Sequence, residues 1–179
     1  MYIQRSLGIS LGDLARRYDR RAIEVEPIFG DVKNDNEKYS GDVFVIMPFS
    51  EGMQPIYKDH IEPCVNQAGL TCYRADDIFT PTEIMNDIWN CIYRSRILIA
   101  DCTGKNPNVF YELGISHTLG KKVIIISQKE EDIPFDLRHR RFFIYSYTPR
   151  GMAKLEGSLL KALNDLVEEE GLRSQKTQK

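Results

Sequence analysis

The chain has 179 residues, of which 42% are hydrophobic and 28% charged, the mixture of an ordinary soluble globular domain. Its formal net charge of −2 gives no general basic field that would favour nucleic acid as a partner. The longest apolar runs, such as residues 123–126, are far too short to span a membrane, and the amino terminus shows no pattern of a secretory signal. The four cysteines contain no C-x-x-C pair, which disfavours a disulfide framework or a zinc site and favours reduced thiols in a cytoplasmic protein.

The amino-terminal part of the chain differs from the rest. Ser10 can cap a short helix, residues 22–29 are predicted to be extended, and the polar stretch that follows is typical of a linker. We therefore predict an appendage and linker at 1–40 and a main domain at 41–171. The polar residues 172–179 are predicted to form a disordered tail.

From residue 42 onward, strand and helix patterns alternate regularly. The predicted strands are 43–47, 70–75, 97–100, 122–127 and 142–147. The predicted helices are 54–68 with a bend at Pro63, a helix opened by the capping box at 80–83, a helix from Asn106 to Gly120, and a last helix ended by Gly171. Unbroken apolar strands that alternate with helices predict an α/β fold with a doubly wound, parallel, five-stranded sheet of flavodoxin-like order 2-1-3-4-5.

In such a sheet, ligands bind outside the carboxyl ends of the strands, where the strand order reverses. This rule selects the residues that follow the first and third strands and those that begin the third helix: Pro48, Phe49, Asp101, Asn106, Asn108 and Glu112. Glu112 is four residues past Asn108, one helical turn deeper. A carboxylate in partly apolar surroundings is a candidate nucleophile or acid, whereas the alternative is a surface glutamate paired with a lysine.

Three segments resemble a known family: FVIMPF (44–49), IMNDIWNCIYRSRILIAD (84–101) and NPNVFYELGISHTLGKKVIII (106–126). Together they look like the nucleoside 2-deoxyribosyltransferase-like superfamily, whose flavodoxin-like fold is related to TIR-type domains. The similarity covers roughly residues 42–147. It implies that Glu112 matches the family's nucleophile, which attacks the sugar C1′ and forms a covalent glycosyl intermediate.

The resemblance implies further roles at matching positions. Asp87 matches an aspartate that hydrogen-bonds the base, although a solvent-facing helix residue is the alternative. Pro48 and Phe49 match a turn after the first strand, so Phe49 either stacks on a base or belongs to the core. Asn106 stands where the family has an acid that positions the sugar, and Asn108 stands where a glycine is frequent. These departures indicate a different substrate, or a sugar-nucleotide binding domain without turnover.

Three other features have two interpretations each. Asp101 either binds ribose hydroxyls or caps the following loop through Thr103 and Gly104. His117 lies off the face of Glu112, so a packed or surface histidine is favoured over a catalytic one. The basic segment 137–143 either holds the phosphate of a nucleotide substrate or is a solvated loop.

The sequence therefore supports two functional hypotheses. The first is cleavage or transfer of an N-glycosidic bond in a nucleoside, nucleotide or NAD-like substrate, with Glu112 as nucleophile and no cofactor or metal. The second is a non-catalytic TIR-like nucleotide-binding or assembly module. Both imply a small-molecule nucleoside or nucleotide as partner and neither implies nucleic acid or membrane. The resemblance also implies a homodimer or higher oligomer, with residues 1–40 contributing to the contact.

Overall fold

The structure is a computed structural model, and it describes residues 28–30, 32, 41–77 and 84–177, with side chains up to residue 169. Backbone contacts divide the chain after Asp31, and the domain that carries the predicted site belongs to the second unit. The helix capped by Ser10, most of the extended segment and linker, and the capping box at 80–83 lie outside the described residues.

Five short strands form one sheet in which every neighbouring pair is parallel. The strands are β1 (Val43–Ile46), β2 (Cys72–Arg74), β3 (Ile97–Asp101), β4 (Lys122–Ser127) and β5 (Phe142–Ile144). Their order is β2-β1-β3-β4-β5, which confirms the predicted flavodoxin-like topology. In the register of the sheet, Val43 pairs with Cys72 on one side and with Ile97 on the other.

Helices cover both faces of this sheet. They are α1, in which π-helical Ile56–Ile61 continues into α-helical Glu62–Gln67, then α2 (Ile84–Arg94), α3 (Pro107–Thr118) and α4 (Pro149–Thr177). Single-turn 3₁₀ helices occupy Glu51–Met53, Ala75–Asp77, Thr103–Lys105, Glu130–Asp132 and Phe135–Leu137. Within the described residues, no helix is long and apolar enough to cross a membrane.

The alternation of side chains along each strand produces two separate cores. Val43 and Val45 of β1 point to one face, where Ile61 of α1 and Leu159 of α4 pack on them. Phe44 and Ile46 point to the other face, towards α2 and α3. Both cores form because the helices of the crossovers cover both faces of a parallel sheet.

Just before Pro63, where the sequence predicts a bend, the helix is π-helical. Proline has no N–H to donate to the carbonyl four residues earlier, so the preceding turns are not held in α-helical register. The helix ends as predicted near Gly69, whose φ of 74° is readily adopted only by glycine.

The last helix differs most from its prediction. It begins at Pro149, capped by the Thr148 hydroxyl, which accepts a hydrogen bond from the Gly151 N–H at 3.1 Å. It continues to Thr177, so the prediction that it ends at Gly171 is wrong. One interior glycine costs a helix only about 1 kcal/mol, and good helix formers surround it.

Candidate active site

The strand order defines where a ligand can bind. The chain passes from β1 to β2 on one side and from β3 to β4 and β5 on the other, so the order reverses between β1 and β3. All strands are parallel, and their carboxyl ends therefore share one edge of the sheet, which we call the carboxyl edge. Pro48 and Phe49 follow β1 there, Asp101 ends β3 there, and α3 begins beside it.

Glu112 lies on the buried face of α3, together with Val109, Leu113 and Ser116. Only 8% of its surface is exposed, and the nearby Ser116 hydroxyl donates to its backbone oxygen, not to its carboxylate. Within the described residues, the carboxylate has no hydrogen-bond or ion-pair partner. The interpretation of Glu112 as a surface glutamate paired with a lysine is therefore wrong.

The electrostatics of Glu112 follow from this burial. Removal from water, with no compensating partner, raises the pKa of its carboxyl from 4.5 to about 7. Near neutral pH, the protonated and ionised forms are therefore present in comparable amounts. Such a group can act as a nucleophile, as an acid, or as a counter-charge for a cationic transition state.

Asp101 is fully buried, and both of its carboxylate oxygens accept hydrogen bonds. Oδ1 accepts from the N–H of Thr103 at 3.0 Å and from its hydroxyl at 2.5 Å. Oδ2 accepts from the Tyr145 hydroxyl at 2.6 Å. Burial raises the pKa of Asp101, and these three donors act in the opposite direction. The structure thus shows the loop cap at Thr103, one of the two interpretations that the sequence left open.

The loop from β3 to α3 is held by a second buried carboxylate. Gly104, at a φ of 74°, donates its N–H to Oδ2 of Asp132 at 2.9 Å, so the predicted cap of Gly104 by Asp101 is wrong. Lys105 follows with a φ of 56°, a left-handed conformation that costs a residue with a side chain about 1 kcal/mol. Two carboxylates and a strained turn therefore fix the start of α3.

Asn106 and Asn108 lie at the amino terminus of α3. The side-chain oxygen of Asn106 caps the helix by accepting a hydrogen bond from the Asn108 N–H at 2.9 Å. Asn108 itself is exposed, whereas Glu112 is buried one turn further on. The amide of Asn106 thus has a structural role, whatever its contact with a sugar.

Phe49 is exposed over 58% of its surface and is therefore not a core residue. Its ring lies 5.3 Å from the guanidinium carbon of Arg74, which lies 5.1 Å from the ring of Tyr57 on α1. Arg74 is only 2% exposed. Its Nε lies 3.0 Å from a carboxylate oxygen of Asp76, an ion pair without hydrogen-bond alignment. Its guanidinium also donates a hydrogen bond to the side-chain oxygen of Gln54 at 2.9 Å. The guanidinium of Arg74 therefore lies against both the Phe49 ring and the Tyr57 ring.

Asp87 is fully buried on α2, so its interpretation as a solvent-facing residue is wrong. The helices α2 and α3 contact each other on the same face of the sheet. Asp87 and Glu112 are therefore buried carboxyl groups contributed by adjacent helices. Asn90, one turn after Asp87, is also fully buried and donates to the backbone oxygen of Asn86 at 2.7 Å.

Several residues that shape this edge were not predicted from the sequence: Arg74, Asn90, Asp132 and Tyr145. A charged residue inside a three-residue strand was the available signal for Arg74. Tyr145 gave none, because its partner Asp101 is 44 residues away in the chain.

The basic segment before β5 does not reach the carboxyl edge. Residues 138–141 precede the first residue of β5 and therefore lie at the opposite, amino edge of the sheet, as does His117 in the last turn of α3. Of the two interpretations that the sequence left open for this segment, a contact with the phosphate of a substrate at the carboxyl edge does not agree with this position. Among the described residues, no group of three or more His, Cys, Asp or Glu side chains is arranged to hold a metal ion.

Comparisons with known proteins place the fold. No protein-family model matches the chain, and no curated protein matches its sequence. Among solved structures, the TIR domain of a Toll-related receptor from Hydra magnipapillata superimposes with a TM-score of 0.51 at 17% identity, covering 66% of this chain and 98% of that one.

Two further solved structures with a similar fold are described as enzymes. A CMP N-glycosidase from Clostridium botulinum superimposes with a TM-score of 0.50 at 19% identity, covering 64% of this chain and 96% of that one. A 2-desoxiribosyltransferase from Leishmania mexicana has a TM-score of 0.47 at 15% identity, covering 64% and 96%. The superpositions on the TIR domain and the N-glycosidase confirm, at the level of the fold, the resemblance inferred from the sequence.

Proposed function

We propose that this protein cleaves or transfers the N-glycosidic bond of a nucleoside, nucleotide or NAD-like molecule, with Glu112 as the nucleophile. The observation that carries the proposal is the state of Glu112: a buried carboxylate, unpaired among the described residues, with a pKa of about 7. Burying a carboxyl group without a partner destabilises the fold. Groups that destabilise the fold in this way are frequent at catalytic sites, where the chemistry requires them. A CMP N-glycosidase with the same fold is consistent with the proposal, although a shared fold alone does not establish an activity.

The chemistry requires an anion beside the sugar. As the bond between C1′ and the base nitrogen breaks, its electron pair leaves with the base, which takes a proton, and positive charge develops on the sugar. The ionised Glu112 stabilises this oxocarbenium-like state and then bonds to C1′. When water attacks C1′, the bond to Glu112 breaks, its electron pair returns to the carboxylate and a proton of the water passes to solvent, which completes a hydrolysis. When a ring nitrogen of a second base attacks C1′ instead, the same bond breaks and a transfer is completed.

The remaining predicted residues take positioning roles in this proposal. The exposed ring of Phe49, with Pro48 beside it, stacks on the base. Asp87 and Asn108 orient base and sugar. Asp101 and Asn106 contact hydroxyl groups, in addition to the hydrogen bonds they already make to the loop.

The second candidate is the non-catalytic TIR-like nucleotide-binding or assembly module. The specific observation in its favour is that both polar groups before Glu112 are already engaged. Asn106 caps α3, and Asp101 accepts from Thr103 and Tyr145. The amide of Asn106 cannot act as a base, and the carboxylate of Asp101 is already fully engaged, so this arrangement favours binding without turnover.

A substrate panel distinguishes the two functions. The purified chain is incubated with nucleosides, nucleoside monophosphates and NAD, each with and without a second free base as acceptor, and free base is measured by chromatography. Release of base without acceptor indicates a hydrolase, and release only with acceptor indicates a transferase. No release from any compound that binds in an equilibrium titration would reject the enzymatic proposal and support the module.

A further inference from the structure

The amino edge of the sheet carries a pocket of about 320 Å³, remote from the carboxyl edge. It lies where β4 and β5 begin and where α3 ends, and we call it the amino-edge pocket. Its polar lining consists of His117, Lys121, Lys122, Arg140, Arg141 and Glu169. A volume above 300 Å³ is within the range of small-molecule sites.

The lining of this pocket is strongly positive. It has four lysine and arginine side chains against one carboxylate, whereas the whole chain has a net charge of −2. The concentration of positive charge in a concave site on a slightly negative protein favours an anionic ligand.

The two lysines are already engaged. The Lys121 ammonium donates to the backbone oxygens of Tyr93 and Ser95, and the Lys122 ammonium pairs with Glu169 at 2.8 Å. The two arginines differ. Arg141 has only the face of its guanidinium covered, by the ring of Phe143 at 5.6 Å, and neither arginine has a carboxylate partner within the described residues.

Cations near the carboxyl ends of helices are common because they complement the helix dipole. This explains Lys121, which caps α2, and His117 in the last turn of α3. It does not explain Arg140 and Arg141, which come from the segment before β5. The last carbonyls of α3 are also already satisfied, since Ile115, Ser116 and His117 accept from the N–H groups of residues 119, 121 and 120.

The neighbourhood of His117 is consistent with uncompensated positive charge. Burial lowers the pKa of His117, and its neighbours Arg140 and His139 lower it further.

We propose that the amino-edge pocket binds a phosphate-bearing small anion, with Arg140 and Arg141 as its direct ligands. The planar guanidinium fork matches two oxygens of a phosphoryl group, and Arg141 is held in place for this by Phe143. The Lys122–Glu169 pair forms the rim of the pocket. The site is distinct from that of Glu112, which lies more than one turn earlier on the same helix and does not line the amino-edge pocket.

The test uses inorganic pyrophosphate as the probe and isothermal titration calorimetry of the full chain at low ionic strength. Wild type is expected to bind, and Arg140→Gln/Arg141→Gln to lose at least about tenfold in affinity, since two charge-assisted contacts are removed. The control is Arg150→Gln/Lys154→Gln on exposed positions of α4, which removes the same two charges and is expected to change affinity less than about twofold. Because Arg141 packs on Phe143, the exposed Arg140→Gln alone is measured as well, together with the melting temperature of each variant.

Three results would overturn the proposal. They are no binding by wild type, equal losses in the arginine pair and the control pair, or full affinity in the folded Arg140→Gln/Arg141→Gln variant. The last result would place pyrophosphate elsewhere, for instance in the crevice. Pyrophosphate has no N-glycosidic bond, so none of these outcomes depends on whether Glu112 is a nucleophile.

Discussion

Glu112 is the residue at which the stability of this fold and its proposed chemistry oppose each other. Its pKa is about 7 in the folded chain and near 4.5 in the unfolded chain, so the folded state binds the proton more tightly. The associated stability is fully present below pH 4.5 and is lost as the pH rises to about 7. Ionised Glu112 therefore destabilises the fold at neutral and alkaline pH.

We predict that Glu112→Gln removes this pH dependence. Relative to the variant, the free energy of unfolding of wild type should fall by about 2 to 3 kcal/mol between pH 4 and pH 8, as follows from the size of the pKa change. Urea denaturation of both proteins at each pH measures the difference, and other titrating groups cancel in the comparison. A difference that is the same at pH 4 and pH 8 would mean that the pKa of Glu112 is not raised.

Helical spacing made Glu112 a candidate, and the family resemblance of the surrounding motif then assigned it a chemical role; both signals are local in the chain. It could not decide the role of Asp101. The hydrogen bond from Tyr145 comes from the far side of β4, and only the folded chain brings these two residues to 2.6 Å. Residue roles that depend on such distant pairs are not encoded in spacing.

Among the elements, β3 and β5 are joined at their carboxyl ends by the Tyr145–Asp101 hydrogen bond. Tyr145 is 3% exposed, so Tyr145→Phe would leave one oxygen of a buried carboxylate without its donor. We predict a loss of about 2 kcal/mol in the free energy of unfolding at pH 7. The exposed Tyr147→Phe, two residues away, is the matched control and should change stability little. Equal effects of the two substitutions would show that the buried hydrogen bond is not important for stability.

A second link between elements is made by Lys121, whose ammonium caps the carboxyl end of α2 from the loop before β4. Burial lowers the pKa of Lys121, but the carbonyls of residues 93 and 95 favour a cation there. We predict that Lys121→Met lowers the free energy of unfolding by about 1 kcal/mol, whereas Lys161→Met on the exposed side of α4 has no effect. Chemical denaturation at pH 7 checks both, and an unchanged midpoint for Lys121→Met would argue against the cap.

At this scale the sequence was informative about strands and less so about helix ends. The sequence identified all five strands, several of them as unbroken apolar runs, because a buried parallel strand needs apolar residues on both faces. The end of α4 was predicted too early, at Gly171. A glycine ends a helix only when the chain turns there, and a helix can also continue through a glycine at a small cost. The start of α4 was missed although Thr148-Pro149 is a typical cap and first-turn pair.

For the whole molecule, the strand order predicted from the sequence is confirmed, whereas the oligomeric state is still a prediction. We predict a homodimer or higher oligomer in which residues 1–40 contribute to the contact. Light scattering at micromolar concentration measures the mass of the full chain and of a chain that lacks these residues. A full-length monomer, or an oligomer unaffected by the deletion, would contradict this prediction.

The proposed mechanism requires that Glu112 forms a bond to C1′ of the sugar. Single-turnover base release with the best substrate of the panel, followed by mass spectrometry of the protein, tests for this bond. Wild type is expected to release base with a rate that rises with pH through about 7, as Glu112 ionises, and to carry a glycosyl group on the peptide that contains Glu112. Glu112→Gln should still bind the substrate but release base several orders of magnitude more slowly. Equally fast release by wild type and Glu112→Gln, with no glycosylated peptide, would contradict the account.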